Sequence, residues 1–366
     1  MPLADIPDLI PVLPEVFMAV AIMVLLMFGV FQPGGTADQD VRSLRLIWAL
    51  SIVVLVLALV LVAVLSGDRV MAFGNLYISD AFAVFCKILV LLGSVMTMTI
   101  SRGFLERQGM ARFEYPILVV FATLGMMMMV SANDLISLYL GLEMQSLSLY
   151  VIAAFQRDDE RSTEAGLKYF VLGALASGFL LYGSSLIYGF SGTTNFDQLA
   201  ALFDYASQAG PGTGVIFGIV FIMAGLAFKV SAVPFHMWLP DVYQGARTPV
   251  GLYIASAPKL AALALIMRIL VDGFGDLHEV WQGMVMVLGV LSLLVGNIVA
   301  IAQTNIKRML FGPSGFLTFH PFFTKYRKGS FMTRGTFALL VTLVLQRIDS
   351  TLNLFPSFLP KFTSSG

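Results

Sequence analysis

Nine stretches of the chain are almost wholly apolar and each is close to twenty residues long: about 13–31, 46–66, 80–101, 115–132, 133–155, 165–190, 213–233, 249–271 and 280–303. An α-helix rises ~1.5 Å per residue, so ~20 residues cross a hydrocarbon layer ~30 Å thick. Lipid offers the backbone no hydrogen-bond partners, and a helix satisfies its own. The expected fold is therefore all-α: a polytopic transmembrane helix bundle with short loops. Composition agrees, since 58% of the 366 residues are apolar and only 12% are charged, too apolar for a soluble domain.

Several function classes fall away. The formal net charge is zero, so no nucleic-acid or anionic partner is expected; the partner that composition demands is the lipid bilayer. The single cysteine, Cys86, excludes disulfides, cysteine-ligated zinc and iron–sulfur clusters within the chain. His236, His278 and His320 show no metal-ligand spacing. The start, MPLADIPDLIPVLPE, lacks the basic region of a cleaved signal peptide. No glycine-rich phosphate loop and no Ser/His/Asp or Cys/His arrangement stands out.

Lysines and arginines give the orientation. With the N-terminus outside, in the periplasm or its equivalent, the inside loops hold Arg42, Arg45, Arg102, Arg107, Arg112, Arg157, Arg161, Arg247, Lys307 and Arg308. The outside holds only Arg69, with Arg268 near a helix end. The segment 194–212, with NFDQLAALFDYASQAGPG, has the pattern of a short amphipathic surface helix on the outside.

Three ionisable residues sit well inside spans. Glu143 lies ten residues after Asn133, roughly 15 Å along its helix. Lys229 follows GVIFGIVFIMAGLAF, and Lys259 lies in GLYIASAPKLAALALIM. A charge at mid-bilayer costs at least ~2.5–3.5 kcal/mol, so such residues face a cavity, pair with each other or carry ions. Pro234 and Pro258 stand close to the two lysines. Each removes a backbone donor and frees carbonyls, which is tolerated at membrane depth only against protein or water. The chemistry this pattern points to is proton transfer: an acid beside a lysine, then a second lysine, as a lateral relay. His236 is either an intermediate in it or a structural histidine. Lys87 reads as a structural charge, snorkelling or paired. The run Met126 to Met129 reads as packing or lipid-facing filler. STEAGLKYF opens a helix on the inside face; Ser162 or Thr163 is its expected cap, and Glu164 with Lys168 is a candidate channel entrance. Asp241 and Arg247 border the same face as a candidate loop ion pair.

VSANDLISLYLGLEMQSLSLYVIAAF, STEAGLKYFVLGALASGFLLYGSSLIYGF, FKVSAVPFHMWLPDVYQGARTPV, SAPKLAALALIMRIL and GNIVAIAQTNIKRML together resemble the subunit N family of proton-pumping NADH–quinone oxidoreductase, respiratory complex I. Its mitochondrial counterpart is NADH dehydrogenase subunit 2, and it is one of three antiporter-like membrane-arm subunits. The resemblance covers about residues 1–310. It implies a broken seventh helix and a proton channel in which Glu143 and Lys229 form the first pair and Lys259 passes protons laterally. It implies partners, the other membrane-arm and peripheral-arm subunits, in which NADH, FMN, iron–sulfur clusters and quinone do the redox chemistry. This chain itself is expected to hold no flavin, cluster or quinone. The implied location is the bacterial cell inner membrane, with the mitochondrial inner membrane as alternative.

The implied division is three N-terminal helices over 1–114, an antiporter-like repeat over 115–275 and the start of a second, inverted repeat over 276–310. Two departures stand out. The family reads QGAPTPV where this chain has Arg247, and the resemblance ends after IKRML. The phenylalanine-rich segment 311–366 differs in style, and is expected to be an out-of-frame or truncated end. Two other readings keep the same buried charges: a subunit of a monovalent cation/proton antiporter, and a non-transporting membrane scaffold.

Overall fold

The computed structural model describes residues 9–31, 37–65, 67, 69–108, 112–206 and 211–304. The expectations for 311–366, and for Lys307 and Arg308, lie outside these residues. A 3-10 turn, Ile10–Val12, leads into α1 (Leu13–Val30), followed by α2 (Ala37–Val64). A short hairpin, β1 (Val70–Ala72) and β2 (Tyr77–Ser79), pairs antiparallel with Met71 opposite Ile78. Then come α3 (Ala81–Arg107), α4 (Glu114–Val130), α5 (Leu135–Ala153), α6 (Glu160–Ser191) and α7 (Phe196–Ala206). Next are α8 (Thr213–Val230), α9 (Trp238–Gly245), α10 (Thr248–Ala255), α11 (Ala257–Met267) and α12 (His278–Ala302). The hairpin is the one addition to the helical expectation among the described residues.

Eight segments are long and apolar enough to cross a membrane by length and composition, α10, α11 and the turn to Gly273 counting as one. The ninth expected span, α4, is apolar but only 17 residues long. The amphipathic segment after α6 is α7, as its pattern predicts.

Local chemistry sets the helix starts. The Asp80 side chain accepts from Ala83 N–H and caps α3; Asp134 accepts from Ile136 and Ser137 N–H and caps α5. The cap of α6 is Asp159, not Ser162 or Thr163. The helix begins three or four residues earlier than a cap at Ser162 or Thr163 would place it, and those hydroxyls bond to Ala153 O and to Arg157 O and Asp159 O instead.

Without water between them, helices associate by close packing, which small residues permit. A Cβ on Gly141 of α5 would stand 2.7 Å from Met129 N of α4, and one on Gly183 of α6 would stand 2.7 Å from Gly218 O of α8. Met126, Met127 and Met129 are buried, so the methionine run is packing rather than lipid-facing surface.

Two buried ion pairs tie the outer parts of the bundle. Lys87 Nζ of α3 lies 2.6 Å from Glu15 Oε1 of α1 and donates to Tyr77 OH at 2.6 Å; the two side chains are 3% and 5% exposed. Tyr77 OH donates in turn to Pro11 O at 3.1 Å. Burial, above all, pushes the Tyr77 phenol up to about 12, so it keeps its proton at neutral pH. In the second pair Arg268, expected near a helix end, begins a π-helical turn, Arg268–Gly273, directly after α11, and its side chain is 4% exposed. It donates to both Asp80 oxygens at 2.5 and 2.9 Å, to Asp272 Oδ2 at 2.8 Å and to Val130 O at 3.2 Å. It thus joins the start of α3 and the end of α4 to the segment that follows α11.

A buried charge stripped of its partner costs ~3–5 kcal/mol, whereas replacing both partners by apolar groups costs little. Lys87→Met is therefore expected to lower the temperature at which the chain aggregates in heated membranes, and Glu15→Leu added to Lys87→Met to restore most of the loss. Equal losses in the single and double variants would contradict the pairing.

Candidate functional site

The break after Lys229 organises the site. The α8 helix ends at Val230, and Ser231 takes the left-handed conformation, φ 62° and ψ 40°. The Val233–Pro234 bond is cis, and α9 begins at Trp238. The last carbonyls of a helix have no partner inside it, yet here each of three finds one. Ala227 O accepts from Ala232 N–H at 2.8 Å. Phe228 O accepts from Ser231 N–H at 3.0 Å and from Trp238 Nε1 at 3.1 Å. Lys229 O accepts from the Lys259 ammonium at 3.3 Å.

The second break lies at Ser256, between α10 and α11, two residues ahead of Pro258. Pro258 therefore falls in the first turn of α11, where its missing N–H costs nothing. The sequence pattern suggested one continuous span here; its proline opens a new helix rather than kinking an old one. Lys259 is the third residue of α11, so it projects from a fresh helix start toward the end of α8. Its Nζ also donates to Ser231 Oγ at 2.5 Å and stands 5.1 Å from the centre of the Trp238 ring.

Lys229 reaches across to α5, where its Nζ donates to Ser146 Oγ; Ser146 in turn donates to Leu142 O. One turn earlier on α5 stands Glu143, which accepts from Ser177 Oγ of α6. Ser177 lies 3.2 Å from Tyr139 OH. The order across the bundle is thus Ser177, Glu143, Ser146, Lys229, Lys259. Glu143, Lys229 and Lys259 are all half-buried.

Glu143 and Lys229 are neighbours without an ion pair within 4.0 Å. Ser146, on the same helix as the acid, accepts the hydrogen bond from the lysine. Serine was not singled out from the sequence, although Ser146 sits three residues from Glu143 in EMQS, the helical spacing that shares a face. Ser177, Ser231 and Trp238 carried no such signal.

At the expected inside face, Lys168 Nζ lies 2.7 Å from Glu164 Oε1 and 2.8 Å from Asp241 Oδ2. Asp241 does not pair with Arg247. Arg247 donates to Asp159 Oδ2 at 2.9 Å and to Gln156 Oε1, tying the start of α10 to the loop between α5 and α6. His236 is half-buried in the turn, and its Nδ1 is buried without a hydrogen-bond partner. The structure does not join it to either lysine by a hydrogen bond. Among the described residues, no group of His, Cys, Asp and Glu could hold a metal ion.

Chemically, the arrangement offers one carboxylate near two ammonium groups, the first ammonium bonded to a hydroxyl and the second to a hydroxyl and a carbonyl. Each lysine has neutral hydrogen-bond partners. A proton held this way is not locked by a carboxylate.

Known proteins resemble this chain in sequence and in fold. A family profile described as "NADH:quinone oxidoreductase/Mrp antiporter, TM" matches residues 132–314. The NADH-quinone oxidoreductase subunit N of Paramagnetospirillum magneticum is 56% identical over 305 residues, which cover 83% of this chain and 61% of that protein. The subunit N of Rhodospirillum rubrum is 55% identical over 302 residues, covering 82% and 60%. The chain thus spans about three fifths of the length of these curated relatives. Among solved structures, respiratory complex I from Thermus thermophilus has a chain with a TM-score of 0.69 and 32% identity, covering 84% of this chain and 62% of that one. The Mrp complex from Dietzia has a chain with a TM-score of 0.70 at 23% identity, a likeness of fold. On these matches, and on the two breaks that bring Glu143, Lys229 and Lys259 into one row, the chain belongs to the transmembrane family shared by NADH:quinone oxidoreductases and Mrp antiporters.

Proposed function

We propose that this chain is a membrane-arm subunit of an NADH–quinone oxidoreductase and translocates protons, driven by electron transfer from NADH to quinone in other subunits. The observation that carries the reading is the cluster of Glu143, Lys229 and Lys259, drawn from three helices and held at two helix breaks, with Lys229 bonded to Ser146 on the helix of the acid and Lys259 bonded to the carbonyl of Lys229. Buried ionisable groups at such depth mark ion paths. Half-buried ammonium groups with neutral partners can give up and regain protons. The relatives at 55–56% identity bear the subunit N name, which favours this reading over the antiporter one.

In the proposed mechanism Glu143 and Lys229 form the first station, with Ser146 passing or orienting the proton between them, and Lys259 is the second. Lys168, with Glu164 and Asp241, stands at the inside entrance. His236 is a relay member only through an intervening group. The redox work, with NADH, FMN, iron–sulfur clusters and quinone, belongs to partner subunits. The chain lies in the bacterial inner membrane with its N-terminus on the periplasmic side. Residues 115–275 are its channel repeat, residues 1–114 an N-terminal three-helix unit, and residues 276–310 the opening of a second repeat.

Inverted membrane vesicles carrying the assembled complex test this. Glu143→Gln is expected to abolish NADH-driven acidification while leaving assembly intact. Acidification at the wild-type rate would remove the carboxylate from the path. Acidification driven by a sodium gradient without NADH would favour the antiporter reading, since the family covers both kinds of protein.

Ser146→Ala keeps the helix and removes the hydroxyl between acid and lysine. A lost hydrogen bond to a charged group is worth ~1.5–3 kcal/mol, so acidification is expected to fall about ten- to a hundredfold, with the aggregation temperature nearly unchanged. An unaltered rate would show that the proton does not depend on Ser146.

A further inference from the structure

Lys259 has a third neighbour that the proton row does not use. Its Nζ lies over the Trp238 ring at 5.1 Å from the centroid. The ring is built into its place. Trp238 is 2% exposed, its Nε1 donates to Phe228 O at 3.1 Å, and it stacks on Tyr169 at 4.5 Å with planes 10° apart. Phe228 closes another side at 5.5 Å. Residues from α6, α8 and α9 thus fix one aromatic face toward a residue of α11.

Among the described residues, no carboxylate lies within 4.0 Å of Lys259. Its positive charge rests on one carbonyl, one hydroxyl and this ring. The ionisable groups on the surrounding elements do not replace them. On α8, Lys229 is a like charge. In the turn and on α9 stand His236, Tyr243 and Asp241, the last bound to Lys168. On α10 is Tyr253, bonded to Val119 O and Thr123. On α3 Lys87 is held by Glu15, on α4 Tyr115 stands near Ser101, and beyond α11 Arg268 is held by Asp80. An indole face attracts a cation most strongly of the aromatic side chains, and more so away from water.

We propose that Trp238 is a positioning residue for the relay: its ring face stabilises the protonated form of Lys259 and sets how readily that proton is passed on. The inference rests on the proton-translocation reading above and assigns to Trp238 a role in it.

Fluorinated tryptophans at position 238 test it. Fluorine on the six-membered ring keeps shape and the Nε1–H but drains the face of negative charge. The assembled complex, in inverted vesicles, would carry mono-, tri- and tetrafluorotryptophan in turn. NADH-driven acidification would be followed against pH. Weaker attraction lets Lys259 lose its proton at lower pH, so the alkaline limb of the profile is expected to move stepwise toward acid. The tetrafluoro form should shift it by about one pH unit, the size of a desolvated cation–π contact. Superimposable profiles across the series would overturn the role of the ring, because a merely structural tryptophan is blind to fluorination. Lys259→Ala separates the two readings. If it leaves acidification at the wild-type rate, the relay itself fails and the ring's role with it. If it abolishes acidification while the fluorinated series stays flat, only the role of Trp238 falls.

Discussion

The contact on which the site depends is the one between the Lys259 ammonium and the carbonyl of Lys229. Ending a helix in an apolar bundle exposes carbonyls that lipid cannot satisfy. Here the backbone break on α8 and the cation on α11 resolve each other: the free carbonyl needs a donor, and the buried ammonium needs an acceptor. Lys229 itself lies in the last turn of α8, where the helix dipole favours a positive side chain. Ser231 adopts a left-handed conformation that costs a non-glycine residue ~1–2 kcal/mol, and in doing so presents its hydroxyl to Lys259. The start of α11 at the Ser256 break delivers the ammonium at the right level.

The chain holds two kinds of buried lysine, and their surroundings separate two uses of charge. Lys87 is 2% exposed and has a carboxylate at 2.6 Å. Desolvation there is offset by direct pairing, and the pair pins α1 to α3. Lys229 and Lys259 stay half-buried and bond to a serine hydroxyl, a carbonyl and a ring face. Neutral partners stabilise an ammonium less than a carboxylate does, so those two charges are held in place without being fixed in protonation. The Arg268 cluster belongs with Lys87: a fully engaged charge that anchors the far end of the segment carrying Lys259.

Much of this was readable in the amino-acid order. Apolar runs of span length located the helices, because lipid leaves the backbone few options. Glu143, Lys229 and Lys259 were conspicuous because charge at that depth is costly, and the prolines near the lysines marked the breaks. Other features depend on contacts between distant residues. Nothing near Arg268 announces Asp80, 188 positions away, so the arginine read as a helix-end charge. The sequence marks Lys87 as structural without choosing between snorkelling and pairing, because its partner Glu15 lies in a different helix. Charge alone points to Glu143 near Lys229; that the lysine donates to Ser146 and the acid accepts from Ser177 has no sign in the sequence, because serines are frequent in membrane helices. Asp159 rather than Ser162 or Thr163 is the cap because the helix already starts at Glu160, where the Asp159 carboxylate accepts from Arg161 N–H.

The central claim is that position 229 needs a cation and is reached by water. Both halves can be read in one experiment. Cys86 is the only cysteine, so a chain with Cys86→Ser and Lys229→Cys offers a single thiol at the break. Aminoethyl methanethiosulfonate, a water-soluble reagent, would restore an ammonium there in vesicles bearing the assembled complex. The account predicts that the cysteine chain acidifies poorly, is labelled from the aqueous phase, and regains NADH-driven acidification once labelled. Wild-type acidification before labelling, or full labelling without recovery, would contradict it.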